Sequence, residues 1–169
     1  MIQALKFQLK QMAEDNKDQF NLHLQKRVGK RAQAKLEKRV RQLILLMPTL
    51  VSRIRYYWEQ QKTPSQVKKT GVFLFAYLCL DKDHLPWPEY GLFGYLDDAY
   101  FTALVYEKVV SEIDAAAISC SPQDMELRKL VADLIKSARL VIPSEAREID
   151  AMFEDLINNN STRYETVFS

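Results

Sequence analysis

Glycine, proline, cysteine and histidine are all scarce in this chain: its 169 residues hold four glycines, six prolines, two cysteines and two histidines. So little glycine and proline cannot furnish the frequent tight turns of an all-β fold, and a helical chain with a few marked corners is expected. The two cysteines, Cys79 and Cys120, sit in apolar surroundings, outside any Cys-x-x-Cys pair or metal-binding spacing. They are expected as buried, reduced thiols of a cytoplasmic protein rather than as a disulfide. His23 and His84 stand alone, which excludes the His-Glu-x-x-His zinc motif. No Walker loop, Gly-x-Ser-x-Gly elbow or Gly-x-Gly-x-x-Gly turn occurs either. The motifs therefore point to no enzymatic activity and to no cofactor. The longest uninterrupted apolar run, Val72 to Leu80, is nine residues, against the roughly 20 of a membrane-spanning helix. The opening residues MIQALKFQLKQ lack the apolar core and cleavage site of a secretory signal. A soluble, cytoplasmic protein without a transmembrane segment is expected.

What is present is ordinary in amount and uneven in placement. Apolar residues make up 47% and charged residues 27%, values of a folded domain with a real core. The net charge of +2 conceals a division: residues 1–70 carry 16 Lys and Arg against five Asp and Glu, and the remainder carry eight against 17. Two physical uses follow. The halves attract each other across an internal interface, or the basic half faces an external polyanion.

Apolar spacing predicts helices throughout. Leu5, Leu9 and Met12 share one helical face, and EDNKD at residues 14–18 breaks it. Phe20, Leu24, Val28, Ala32, Leu36, Val40 and Ile44 then step by four, which fits one long amphipathic helix. In that pattern Gly29 weakens the helix by about 1 kcal/mol without ending it, and Pro48 kinks or ends it. Thr63-Pro64 and Ser121-Pro122 read as helix starts, with the hydroxyl as N-cap and proline in the first turn. The helix after Thr63 is apolar on nearly every face from Val72, so it is expected at the bundle centre. Pro143 opens a last helix. Pro86, Pro88, Gly91 and Gly94 mark a loop through which no regular element is expected.

The expected fold is all-α, a single-domain bundle of six or seven helices over residues 1–157. Basic N-terminal helices occupy 1–62 and include the long one; a helical hairpin with the Pro/Gly-rich loop between two central helices occupies 63–118. C-terminal helices follow at 121–157, and a mobile tail at 158–169.

Asp83, Leu85-Pro86 and Gly94-Tyr95-Leu96-Asp97-Asp98, set between two apolar helical patterns, resemble the signature of the YkvA-like family of small bacterial domains of unknown function. That signature runs Pro-x-Asp-x-Ile-Pro-Asp, a short apolar turn, then Gly-Tyr-Leu-Asp-Asp. The similarity covers about Val72 to Val110. Asp81 stands where the family has proline, Trp87 where it has aspartate, and one extra residue precedes Gly94. The resemblance implies a helical hairpin and no defined activity.

Three groups of residues are candidate sites. Lys26, Arg27, Lys30, Arg31, Lys35, Lys38, Arg39 and Arg41 meet only Glu37 in sixteen residues, a surface for nucleic-acid phosphates, an acidic partner or an anionic membrane. Lys62, Lys68 and Lys69 extend it, and Arg53 and Arg55 beside Tyr56, Tyr57 and Trp58 offer faces for unpaired bases. Trp87, Tyr90, Phe93 and Tyr95 are the aromatic anchors of a docking loop. Asp83, Asp97 and Asp98, with Asp81, His84 and Glu89 nearby, offer oxygen ligands to a hard cation. The competing reading makes Asp97 and Asp98 helix caps and Asp83 a tie across the turn.

The function expected from these residues is that of a non-catalytic helical accessory or regulatory protein, acting by macromolecular contact and most simply on a protein partner. The alternative is a nucleic-acid-binding protein that uses the basic N-terminal helix. A third reading is a metal-dependent enzyme at the Asp-rich loop. Oligomeric state is not fixed by any of these residues.

Overall fold

Helical spacing is realised throughout the described residues, 2–15, 17–79, 84–116 and 120–158, of a computed structural model. The elements in order are α1 (Ile2–Asp15), α2 (Lys17–Glu59), α3 (Ser65–Tyr77), the single turn α4 (Trp87–Tyr90), a 3₁₀ turn (Gly91–Tyr95), α5 (Leu96–Ala115), α6 (Pro122–Val141) and α7 (Pro143–Ile157). Six of them have thirteen residues or more. They form one all-α, single-domain bundle, with no strand among the described residues. Asp81 and Asp83 lie outside the described residues, as does the expected tail beyond Asn158.

The centre of the bundle is α5, which packs against α2, α3, α6 and α7. Tyr100, Phe101, Ala103, Val105, Tyr106 and Val109 have no exposed surface, and each large apolar side chain so buried contributes about 1.5–3 kcal/mol. The expectation that α3 holds this place is corrected, because Val72 is half exposed and Phe75 is only partly covered. What distinguishes α5 is residues 99–106, two turns without a charge.

The largest departure from expectation is in α2. Gly29 has φ 76° and ψ 160°, a combination closed to side chains other than glycine. There the helix turns back on itself. The Asn21 carboxamide, oriented as its surroundings require, donates to both Glu37 oxygens at 3.0 and 3.2 Å. The Arg41 guanidinium stands 4.9 Å from the centre of the Phe20 ring, and its Nη2 donates to the Ala13 carbonyl at 2.7 Å. In a straight helix Asn21 and Glu37 stand about 24 Å apart. The stripe from Phe20 to Ile44 therefore belongs to two arms packed face to face, not to one long rod.

Pro48 also reverses its expected role. It lies inside the second arm, where Gly29 is the only residue of α2 with non-helical angles. Proline removes the bond to the carbonyl four residues back and costs about 3 kcal/mol inside a helix. Continuity keeps Leu43, Ile44, Met47, Leu50, Val51 and Ile54 buried together, which outweighs that cost. The Pro48 carbonyl accepts from the Ser52 hydroxyl at 2.9 Å.

Helix starts follow the sequence in one case and not in the other. Ser121 Oγ accepts the Asp124 amide at 3.1 Å, an N-cap as expected. Thr63 instead turns its hydroxyl back to donate to the Tyr57 carbonyl, and α3 starts without a side-chain cap. Both described cysteines are free; Cys120 is half-buried, but Cys79 is exposed, contrary to expectation.

The Pro/Gly segment is more regular than expected. Pro86 precedes α4 and Pro88 occupies its first turn, positions where a missing amide costs nothing. The 3₁₀ turn then runs directly into α5. Gly94 makes this possible: a Cβ there falls 2.6 Å from Trp87 Cα and 2.9 Å from the Leu85 carbonyl oxygen, so two backbones touch where only hydrogen fits.

Two glycine substitutions check this architecture by urea denaturation. Gly29→Ala destabilises by about 1–3 kcal/mol if the chain turns at Gly29, whereas in a continuous helix the same change stabilises by about 1 kcal/mol. The sign alone decides. Gly94→Ala is expected to lower the urea midpoint further, since rigid backbone rather than a flexible side chain must move; an unchanged midpoint means the two backbones do not meet.

Candidate functional site

The corner at Gly29 sorts the eight cations of residues 26–41 into two groups. Arg27 reaches α7, where it meets Glu145 at 2.6 Å with its guanidinium 6.0 Å from the Phe93 ring centre. Burial favours the neutral Glu145 carboxyl, but its own backbone amide, Arg27 and Ser144 outweigh burial and hold it below the usual range. Arg39 donates to Ser137 on α6 at 3.4 Å, and Arg41 is held between α1 and the first arm. The other five, Lys26, Lys30, Arg31, Lys35 and Lys38, are exposed. Among the described residues none of them makes an ion pair or a side-chain hydrogen bond. Arg31, Lys35 and Lys38 recur on one face of the second arm, with Lys26 and Lys30 on either side of the turn. Behind the corner, His23 packs 5.0 Å from the ring of Tyr90. Burial, and then the charge of Lys26, lower its pKa.

The aromatic stretch expected to stack bases is occupied inside the fold. Tyr57 is buried and donates to Asp124 at 2.7 Å, and Trp58 packs 5.5 Å from Phe75. Arg55 pairs with Glu59 at 2.7 Å, while Arg53 lies 3.7 Å from Asp124 and donates to Gln123 at 3.2 Å. Of the three aromatics only Tyr56 is exposed, with Trp58 partly covered and Tyr57 buried, so no continuous stacking platform forms. Lys62, Lys68 and Lys69 follow at the far end of the second arm, about 45 Å long at 1.5 Å per residue.

The four aromatic anchors of the expected docking loop also divide. Trp87 is 45% exposed, and Tyr90 is half covered by His23. Phe93 is fully buried against Phe20, and Tyr95 is buried with its hydroxyl accepting from Gln8 at 2.8 Å. Phe93 and Tyr95 are core residues and cannot serve as surface anchors.

Of the acidic residues of the loop, Asp97 serves the chain itself. Asp97 is fully buried and accepts the Leu85 amide at 3.2 Å, tying the backbone that leads into α4 to α5. Asp97 and Asp98 both lie in the first turn of α5, as one of the two readings of these carboxylates expected, and the N-cap Tyr95 makes no side-chain bond. Asp83 lies outside the described residues. Among the described residues no three His, Cys, Asp or Glu side chains gather as a metal site. No described helix is long and apolar enough to cross a membrane.

A buried carboxylate in the first turn of α6 is a hub. Asp124, 1% exposed, accepts from Tyr57 at 2.7 Å, from Ser121 at 2.7 Å and from Tyr106 at 3.0 Å. Burial alone raises its pKa, but these three hydroxyls and Arg53 outweigh burial and hold it below the usual carboxylate range. Burial and Asp124 together push the Tyr57 and Tyr106 phenols above their ordinary value. A second link joins α5, α6 and α7: Arg139 donates to the Tyr100 hydroxyl at 2.6 Å, which donates to Asp150 at 2.7 Å. Each group is satisfied, so both networks hold helices together. The Ser-Pro-x-Asp spacing announces the cap of α6, whereas the two tyrosines arrive from α2 and α5.

A cleft of about 540 Å³ opens where α1, the second arm of α2, the end of α3 and the Pro86–Pro88 turn converge. Leu5, Met47, Val51, Leu78 and Trp87 form its apolar walls, and Gln8, Tyr95 and Asp98 bring polar atoms to it. Trp87 and Asp98 thus belong to one site, although the sequence assigned them to separate ones. No family model, no curated protein and no solved structure matches the chain.

The hub is tested by acid. The depressed carboxyl gives stability that is present above its unfolded pKa and is lost as pH falls from about 4 toward the folded value. Asp124→Asn is expected to cost about 1.5–3 kcal/mol at pH 7 and to flatten the stability profile below pH 4. Equal acid limbs in both proteins, followed by circular dichroism, contradict this role.

Proposed function

We propose that the chain is a non-catalytic helical accessory protein that works by macromolecular contact, and that the cationic corner of α2 is the contact face. The observation that carries this is the separation of charges at Gly29. Three arginines, Arg27, Arg39 and Arg41, bond to other elements of the chain, while Lys26, Lys30, Arg31, Lys35 and Lys38 are exposed with no carboxylate partner among the described residues. Contacts between the halves include Arg27–Glu145 and Arg53–Asp124. Five uncompensated cations on a convex helical turn repel one another, and an anionic partner relieves that repulsion. The YkvA-like resemblance is retained as part of the proposal for the Pro/Gly segment, where it carries no activity.

Nucleic acid is the second reading, favoured by the row of Arg31, Lys35 and Lys38 on one helical face. With Tyr57 and Trp58 internal, such binding rests on phosphate contacts alone and is indifferent to base sequence.

Fluorescence anisotropy with labelled duplex, single strand and polyglutamate, at two salt concentrations, tests both. A Lys30→Ala/Arg31→Ala/Lys35→Ala variant folds normally and binds the preferred polyanion more weakly. On duplex its salt slope falls by about 0.9 for each phosphate contact removed. Preference for polyglutamate selects an acidic protein over nucleic acid. If the unaltered protein binds none of the three at low salt, the corner is a solvated face and the proposal fails.

A further inference from the structure

Taking the cationic corner as the contact face, we infer that its partner is an acidic amphipathic helix of another protein, laid along the exposed side of the second arm of α2. The charged surface does not end on polar residues. Arg31, Ala34, Lys35, Lys38, Gln42 and Leu45 recur at three- and four-residue steps and so share one face of the arm, and all six are exposed. A depression of about 730 Å³ follows that face, with Ala34, Lys38, Leu45 and Leu46 among its lining residues. Cations stand at its corner end and leucines at the other. Lys38 and Leu45 are seven residues apart, about 10 Å along the axis at helical rise.

That order of charged and apolar groups chooses among polyanions. Phosphates satisfy Arg31, Lys35 and Lys38 but gain nothing from Leu45, which is 42% exposed, or from the half-covered Leu46. A nucleic-acid backbone therefore leaves that end of the depression wet. An anionic bilayer needs a broad apolar face to insert, and the arm turns its own, Val40, Leu43, Ile44 and Met47, into the core. A helix with carboxylates at one end and leucines two turns away meets both parts at once. Its acids pair with the cations, and its leucines cover Leu45 and Leu46. The face is also fixed before the partner arrives. Glu37 on its edge is held by Asn21 of the first arm, and Arg41 by the Ala13 carbonyl and the Phe20 ring, so binding orders few groups of this chain.

Fluorescence anisotropy with two labelled, alanine-based helical peptides of equal length and charge tests this: one carries glutamates in its first two turns and leucines in its last two, and the other has serine in place of leucine. The leucine peptide is expected to bind roughly tenfold more tightly than the serine peptide. That ratio should hold at low and at high salt while both affinities fall, because salt screens charge and not apolar burial. Leu45→Ser, at an exposed position, brings the leucine peptide down to the affinity of the serine peptide and leaves polyglutamate binding unchanged. If that variant does not fold, the salt-independent ratio on the unaltered protein decides. A ratio near one, or a tenfold ratio that survives Leu45→Ser, overturns the amphipathic partner, and the cationic corner then stands if polyglutamate still binds. Tighter binding of duplex, or of vesicles of equimolar phosphatidylcholine and phosphatidylserine, than of the leucine peptide overturns it in favour of nucleic acid or a membrane. Failure of every polyanion to bind at low salt removes the corner and its partner together.

Discussion

One residue without a side chain sets the placement of everything else in the N-terminal half. With Gly29 at a positive φ, the first arm of α2 lies back along the second, and three contacts then follow together: Asn21 with Glu37, Phe20 with Arg41, and Ala13 with Arg41. The same turn brings Arg27 to Glu145 on α7. Its convex side carries the cations with no partner, because the concave side is filled by the contact between arms. A continuous helix would carry the same charges on a rod, with Arg27 and Arg41 about 21 Å apart along one axis and no closed core beneath them.

The acidic half makes a different use of its charge. Asp97, Asp124, Glu145 and Asp150 each bind a group of this chain: an amide, a set of hydroxyls, an arginine, a tyrosine with an arginine. Asp97 and Asp124 are buried, where a carboxylate is costly unless hydrogen-bonded; Asp97, Asp124 and Asp150 bond where α5 meets its neighbours, and Glu145 joins α7 to α2. The division of charge along the sequence therefore separates two tasks. Negative charge holds the bundle together at a few buried points, and positive charge, mostly carried on flexible lysines, is left at the surface.

The existence and order of the helices were legible in the sequence, because three- and four-residue spacing of apolar side chains is local. The α6 start was legible for the same reason, in Ser121 and Pro122. The corner was not. Phe20, Leu24 and Val28 lead in unbroken four-residue steps to Ala32 and Leu36, and two antiparallel arms that bury the same face show the same periodicity as one rod. Only the backbone angles of Gly29 distinguish them. Pro48 misled for the opposite reason: its local cost is real, but six buried neighbours on the same arm overrule it. The cationic residues stand together in the sequence, yet which of them bond to other elements depends on the reversal. The cleft was hidden entirely, since Leu5, Val51, Trp87 and Asp98 are brought together from four separate elements.

The corner and the cleft are electrostatically separate but mechanically joined. Arg31 and Met47 are 16 residues apart on one arm, about 24 Å at helical rise, and the screening length at physiological salt is about 8 Å. A polyanion at the corner therefore contributes almost nothing to the potential in the cleft. What connects them is the second arm, which runs from Arg31 through Pro48 to Val51 without a non-helical residue and contributes Met47 and Val51 to the cleft wall. Any influence of one site on the other must pass through a displacement of that arm against α5. Its buried face, from Val40 to Ile54, opposes such movement, because sliding a packed helix costs contacts on every turn at once. The geometry thus makes the corner and the cleft independent features of a common rigid support.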